Sequence, residues 1–182
     1  MKTEAYHAFM LDHATGGLAP ALQVAGDIHC ALDASGRDSA ALWDCLGGVL
    51  LEDPVVMEAP VTARRTKARP GRPAVSASDI LSTDLSGITW RRGLSGVRYA
   101  NTPIPHGQFM RLDPGQLTPA HGHSALEATV VLEGELDVDG MVYTPGQLVI
   151  GSPGERHQPM AGNCSLCICY VGRESRPFWR FS

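Results

Sequence analysis

Three histidines and one glutamate carry the chemistry available to this sequence: His121, His123, Glu127 and His157. His121 and His123 stand two apart, so on a strand both imidazoles leave the same face. Pro114-Gly115 and Ser124-Ala125 supply turn residues on either side, and Glu127 opens the next apolar run as a carboxylate. His157 comes from far along the chain, so only a closed fold brings it to the others. Three neutral imidazoles with one carboxylate form a donor set suited to zinc, iron, manganese or nickel. A lone histidine is more often an ordinary polar residue, but four ligand types in register point to a metal.

The elements that must position these groups read as short strands. Period-two alternation begins at Ile88, with strands expected at 88–90, 97–99, 108–112 and 127–132. A hairpin follows at 135–138 and 141–143, with Asp139-Gly140 as its turn; strands at 147–150, 164–171 and 178–181 continue the series. If Glu127 points inward, so do Thr129 and Val131. Ala128, Val130 and Leu132 then form an apolar outer row that needs a cover, either helices or a second copy of the chain. Tyr99, Arg111 and Tyr143 are candidates to line a pocket beside the metal, and strand packing explains them equally well.

The pattern Gly115-x5-His121-x-His123-x3-Glu127-x6-Gly134 resembles the first cupin motif in full. Gly146, Gly154 and His157 fall where the second motif expects them. Ser152 stands where proline is usual, with Pro153 beside it, and Ala161 stands where asparagine is expected, which bears on loop shape rather than on the ligands. The resemblance implies a mainly β C-terminal domain, a double-stranded β-helix or jelly-roll-like barrel, over residues 77–182.

Residues 1–52 read as a small all-α domain of three helices. Ala5, Phe9 and His13 share one face before Gly16-Gly17 ends the run. Pro20 suits a first helical turn, and Leu18, Leu22, Ala25, Ile28 and Leu32 form an amphipathic stripe that stops before Ser35-Gly36. Asp38 or Ser39 is expected to cap the third helix, whose apolar face is Leu42, Leu46, Val49 and Leu50 with Trp43 beside it. Between the domains, residues 53–76 carry Pro54, Pro60, Pro70 and Pro73 with Arg64, Arg65, Lys67, Arg69 and Arg72, as expected for a solvated tether. A basic contact segment for an acidic partner is the alternative.

A formal charge of −4 provides no electrostatic footprint for nucleic acid, so direct DNA binding is not expected. The opening residues lack the apolar core of a signal peptide and no run is long enough to span a bilayer, so no membrane association and a cytoplasmic location are expected. Five cysteines is an odd count that fits a reducing compartment. Cys167 and Cys169 share a strand face, with Cys164 expected on the other, and all three read as small buried residues or as redox-responsive thiols near the metal. Cys30 and Cys45 read as helix packing; His7, His13 and His106 read as surface or turn residues.

A helical N-terminal piece, a basic tether and a cupin ending in a cysteine-rich strand and Phe178-Trp179-Arg180-Phe181 together resemble the ChrR type of anti-sigma factor. The resemblance spans nearly the whole chain and is closest at 119–127, 155–161 and 166–169. It implies a helical domain, residues 1–52, that binds an extracytoplasmic-function-type sigma factor, and a cupin needed for the response to oxidative stress. The family's helical zinc motif, His-x3-Cys-x2-Cys with an upstream histidine, is met here by His29, Asp33, Gly36 and Glu4, so no second zinc is expected there. Packing must then replace the roughly 10 kcal/mol or more that such a zinc supplies in small peptides.

Three readings follow. In the first, one zinc held by His121, His123, Glu127 and His157 is closed by four protein ligands and serves a regulator. In the second, iron, manganese or nickel at the same residues keeps open positions and serves a dioxygenase- or isomerase-type enzyme. In the third, the metal only holds a dimeric binding module together. The first is preferred, on the resemblance.

Overall fold

The first two helices of the chain, α1 (Thr3–Ala14) and α2 (Pro20–Leu32), fall where the apolar stripes place them, and α3 (Ala34–Glu52) follows directly. The computed structural model describes residues 3–52 and 75–174. The expected tether, except its last two residues, and the expected strand at 178–181 lie outside the described residues. Gly16 ends the α1 run with φ +68°, a left-handed conformation open to glycine at little cost. Pro20 occupies the first turn of α2, where its missing N–H costs no hydrogen bond.

The third helix starts earlier than expected. One extended residue, Asp33, separates it from α2, and the Asp33 carboxylate accepts from the Ser35 backbone N–H at 2.8 Å. That cap makes Ser35-Gly36 the first turn of α3 rather than a break. Trp43 packs toward the core, whereas Leu42, Leu46 and Val49 turn outward, with 53%, 44% and 61% of their surface exposed. A short helix that the sequence reading lacked, α4 (Ala77–Leu81), opens on a capping box between Ser76 and Asp79 and buries Ile80 among the other helices.

The β-region comprises β1 (Arg91–Arg92), β2 (Arg98–Asn101), β3 (Gly107–Leu112), β4 (His121–Gly122), β5 (Glu127–Glu133), β6 (Leu136–Val138), β7 (Met141–Tyr143), β8 (Leu148–Gly151), β9 (Arg156–His157), β10 (Met160–Ala161) and β11 (Cys167–Arg173). The first strand lies just after the expected 88–90. A six-stranded sheet runs in the order β1-β2-β3-β11-β5-β8; β10-β6-β7 and β4-β9 form two smaller sheets, and all named pairs are antiparallel. Placing β11 between β3 and β5 joins distant parts of the chain in one sheet, as the expected jelly-roll-like barrel requires.

Each face of the large sheet has its own core. On the inner face Met110, Leu112, Val131, Cys167, Cys169 and Val171 pack against Leu136, Val138 and Tyr143 of the small sheet. On the outer face Phe109, Ala128, Val130, Leu148 and Tyr170 pack against Leu22, Ala25 and Ile28 of α2, with Tyr6, Phe9 and Met10 of α1 in the same cluster. The helical layer is therefore the cover that the outer row required. Each buried large aliphatic side chain contributes about 1.5–3 kcal/mol. Two residues of β11 set the helix-to-sheet distance: the Tyr170 hydroxyl donates to the Ala21 carbonyl at 3.1 Å, and Gly172 lies so close to Ala21 that a Cβ there would meet its carbonyl oxygen.

Several single-residue expectations fail for local reasons. Cys164 lies exposed in the loop before β11 rather than on the strand, and Cys45 is exposed on α3 rather than packed. His13 is no surface residue: its side chain is largely buried and pairs with Asp27 at 2.8 Å, tying α1 to α2. Cys167 and Cys169 are fully buried with their sulfurs 3.6 Å apart, and the contact with the Cys167 sulfur, reinforced by burial, raises the Cys169 thiol and keeps it protonated. Among the described residues no helix is long and apolar enough to cross a membrane.

Candidate metal centre

The short sheet of β4 and β9 sets His121 directly opposite His157. His123, just beyond β4, bridges to Pro153, and its carbonyl accepts from the Gly154 N–H at 2.9 Å. Gly154 has φ +87°, so the loop carrying Ser152 in place of proline still closes onto His123. Glu127 opens β5 opposite Gly151 of β8. A Cβ on Gly151 would lie 2.6 Å from Nε2 of His123, so this glycine makes the space in which the imidazole stands.

The four side chains converge. Nε2 of His157 lies 2.8 Å from Nε2 of His123 and 3.2 Å from Nε2 of His121. One donor atom from each residue, Glu127 included, falls within 4.8 Å of all the others. Nδ1 of His121 donates to the Pro119 carbonyl at 2.9 Å, which leaves the Nε2 lone pair directed at the cluster. Burial pushes His123 below the ordinary histidine range against the opposing pull of Glu127. Burial also lowers His157, reinforced by the other two imidazoles. Neutral rings are the form that ligates.

Converging lone pairs repel unless something positive lies between them, and a single proton bridges only one pair. Metal–nitrogen bonds of about 2.1 Å would set neighbouring donors about 3.0 Å apart at a right angle and about 3.4 Å apart at the tetrahedral angle. The observed separations suit a shared cation, so the cluster could hold one metal ion, with Glu127 as its anionic donor.

Two residues that sequence reasoning missed complete the surroundings. Arg173 donates from Nε to the Glu127 carboxylate at 2.5 Å, and the side-chain oxygen of Gln108, turned toward it, accepts from both terminal nitrogens at 2.8 and 3.1 Å. The signal for Arg173 was present: once Cys167 and Cys169 face inward, Val171 and Arg173 follow on the same side of β11. Gly151 carried no comparable signal, because only the packed neighbour reveals why its side chain is absent.

Of the three pocket candidates, Tyr99 lines the cavity beside His121, Glu127 and His157, and Tyr143 lines a smaller one that also reaches His157. Arg111 sits over Trp90 at 6.0 Å, and Tyr143 is buried where the small sheet meets the large one. His106 adopts φ +64° in a turn, as expected.

The sequence profile of the ChrR Cupin-like domain matches residues 83–176. The anti-sigma-E factor ChrR of Cereibacter sphaeroides is 30% identical over 92% of this chain and 87% of its own length. The chain belongs to the ChrR family. A crystal structure of Rhodobacter sphaeroides SigE in complex with the anti-sigma ChrR superposes with a TM-score of 0.72 at 27% identity, covering 92% of this chain and 96% of that one. In this family member the departures in the helical region have visible roles. His29 is 2% exposed; its Nδ1 donates to the Gly146 carbonyl at 2.8 Å, and its Nε2 accepts from the Tyr6 hydroxyl at 3.0 Å. Asp33 caps α3, and a Cβ on Gly36 would come within 2.8 Å of the His29 ring and carbonyl. Hydrogen bonding and close packing thus operate at positions where the family pattern has cysteine.

Proposed function

We propose that this protein is a cytoplasmic anti-sigma factor in which residues 1–52 engage an extracytoplasmic-function-type sigma factor, residues 53–76 form a tether, and the cupin of residues 77–182 governs release under oxidative stress. The observation that carries the reading is the superposition, across both the helical and the cupin portions, on an anti-sigma chain described in complex with its sigma factor. The outward face of Leu42, Leu46 and Val49 offers the apolar surface that such a contact needs. Within the cupin, His121, His123, Glu127 and His157 hold one zinc ion. Four protein donors fill tetrahedral zinc, which suits a structural or sensory site. Arg173 fixes the Glu127 carboxylate, and the His121 tautomer is set by Pro119, so the donors are oriented before the ion arrives.

The test pairs the full chain with sigma factors from the same genome. Co-purification of a one-to-one complex that blocks sigma-dependent transcription, together with one zinc per chain, is the expected result. Failure to capture any sigma factor removes the regulatory reading, and redox-active iron with exchangeable water at the same residues favours the enzyme instead.

A further inference from the structure

The cupin holds a partly open cavity of about 290 Å³ that the metal-centre reading does not use. Its walls are apolar, formed in part by Met110, Leu136, Val149 and Val171, and the cluster stands at one end of it. His121, Glu127 and Arg173 also line a wider outer vestibule, so these three residues form the threshold between solvent and the inner chamber. Tyr99, Thr118 and Thr129 supply the remaining polar character. Burial pushes the Tyr99 hydroxyl up, which keeps it a donor, and Thr118 is 3% exposed with a hydroxyl that has no partner.

Charge decides the sign of an occupant. Three neutral imidazoles and one carboxylate around a divalent cation leave a positive centre, and the Arg173 guanidinium adds to it. At about 30 Å³ per water-sized unit, the chamber has room for roughly ten non-hydrogen atoms. Water gains little from apolar walls, whereas an apolar chain gains about 25 cal/mol per Å² of surface withdrawn from solvent. We infer that this cavity is a binding site for a small monocarboxylate with an apolar body, its carboxylate at the His121–Glu127–Arg173 threshold and its chain among Met110, Leu136, Val149 and Val171. The inference rests on the metal-centre reading and extends it: the cupin takes an effector molecule as well as an ion.

Octanoate, with ten non-hydrogen atoms, is the probe. It is titrated into the zinc-loaded full chain by calorimetry, with acetate supplying the head alone and octan-1-ol the chain alone. Saturable one-to-one binding of octanoate, at least about tenfold tighter than either control, is the expected result, and Val149→Phe weakens it by a further factor of about ten. Carbon-13 methyl spectra of the zinc-loaded wild-type chain give a second readout that does not depend on the variant folding: octanoate shifts the Met110, Val149 and Val171 methyl signals and acetate does not. Equal binding of the three probes, indifference to Val149→Phe in a folded variant, or methyl signals that octanoate leaves unshifted overturn the inference. If octanoate fails while the chain still loads metal and captures its sigma factor, the cavity inference falls alone. If no metal is retained, the metal-centre reading falls with it.

Discussion

Replacing Gly172 by alanine tests whether the helical layer and the cupin are seated on one another as tightly as their geometry states. A Cβ at position 172 would lie 2.3 Å from the Ala21 carbonyl oxygen, 2.7 Å from its carbon and 3.2 Å from the Leu22 nitrogen. All three are backbone atoms, so no side chain can swing aside. Restoring ordinary contact requires the first turn of α2 to retreat by about 1 Å, which loosens the packing of Leu22 and Ala25 on the sheet. The same retreat stretches the 3.1 Å bond from the Tyr170 hydroxyl to Ala21. Burial has already pushed that hydroxyl's pKa far up, so ionisation offers it no relief. Overpacking costs about 1–3 kcal/mol and a buried hydroxyl left unpaired about 1–3 kcal/mol, so a loss of roughly 2–4 kcal/mol is expected after partial relaxation. Urea denaturation followed by far-ultraviolet circular dichroism should show a lower midpoint. Gly48→Ala is the internal control. Gly48 lies within α3 with nothing within 4 Å of a Cβ, so the same substitution there should stabilise by about 1 kcal/mol. If the two variants shift the midpoint in the same direction, the close seating of α2 on β11 is wrong.

Gly151→Ala should drive a methyl group into the His123 ring and lower zinc affinity about 10–100-fold with little change in overall secondary structure, measured by competition with a chromophoric chelator. Arg173→Met should leave Glu127 without its guanidinium partner and weaken metal retention by about tenfold or more, and retention equal to wild type would deny Arg173 a positioning role. Removing the metal with a chelator should lower the thermal midpoint of the full chain, because an ion bound only by the native state stabilises that state by mass action. Burial holds His29 below its ordinary value near 6.5, so the unfolded chain takes up a proton before the folded chain does. Its contribution is complete above that ordinary value and is lost as pH falls toward the folded value. Denaturation midpoints between pH 8 and 5 should therefore decline on the acid side, and His29→Gln should show a shallower decline.

Much of the site was legible before any fold was known, because ligand chemistry is carried by residue type. Histidine pairs two apart on a strand, a carboxylate at the head of the next strand and glycines at the turns are local properties, and local properties survive in a one-dimensional string. The outer row of Ala128, Val130 and Leu132 was legible for the same reason, since alternation assigns faces without knowing neighbours. The start of α3 was misread because Ser35-Gly36 resembles a break unless the Asp33 cap is seen. His13 was misplaced because its partner, Asp27, lies on another helix, and the choice between pocket and packing for Tyr99, Arg111 and Tyr143 stayed open because alternation does not say where a cavity lies along a strand.

The order of residues alone determined which groups could ligate a cation, which faces had to be buried and which family the chain resembles. Tertiary structure decided which surface covers the barrel, why Gly151, Gly172 and Gly36 lack side chains, how Arg173 reaches Glu127, and that an apolar chamber opens beside the cluster. The division has a physical cause. Donor chemistry and period are written in each residue and its near neighbours, whereas close approach, cavity shape and charge pairing arise only when distant segments exclude one another from the same space.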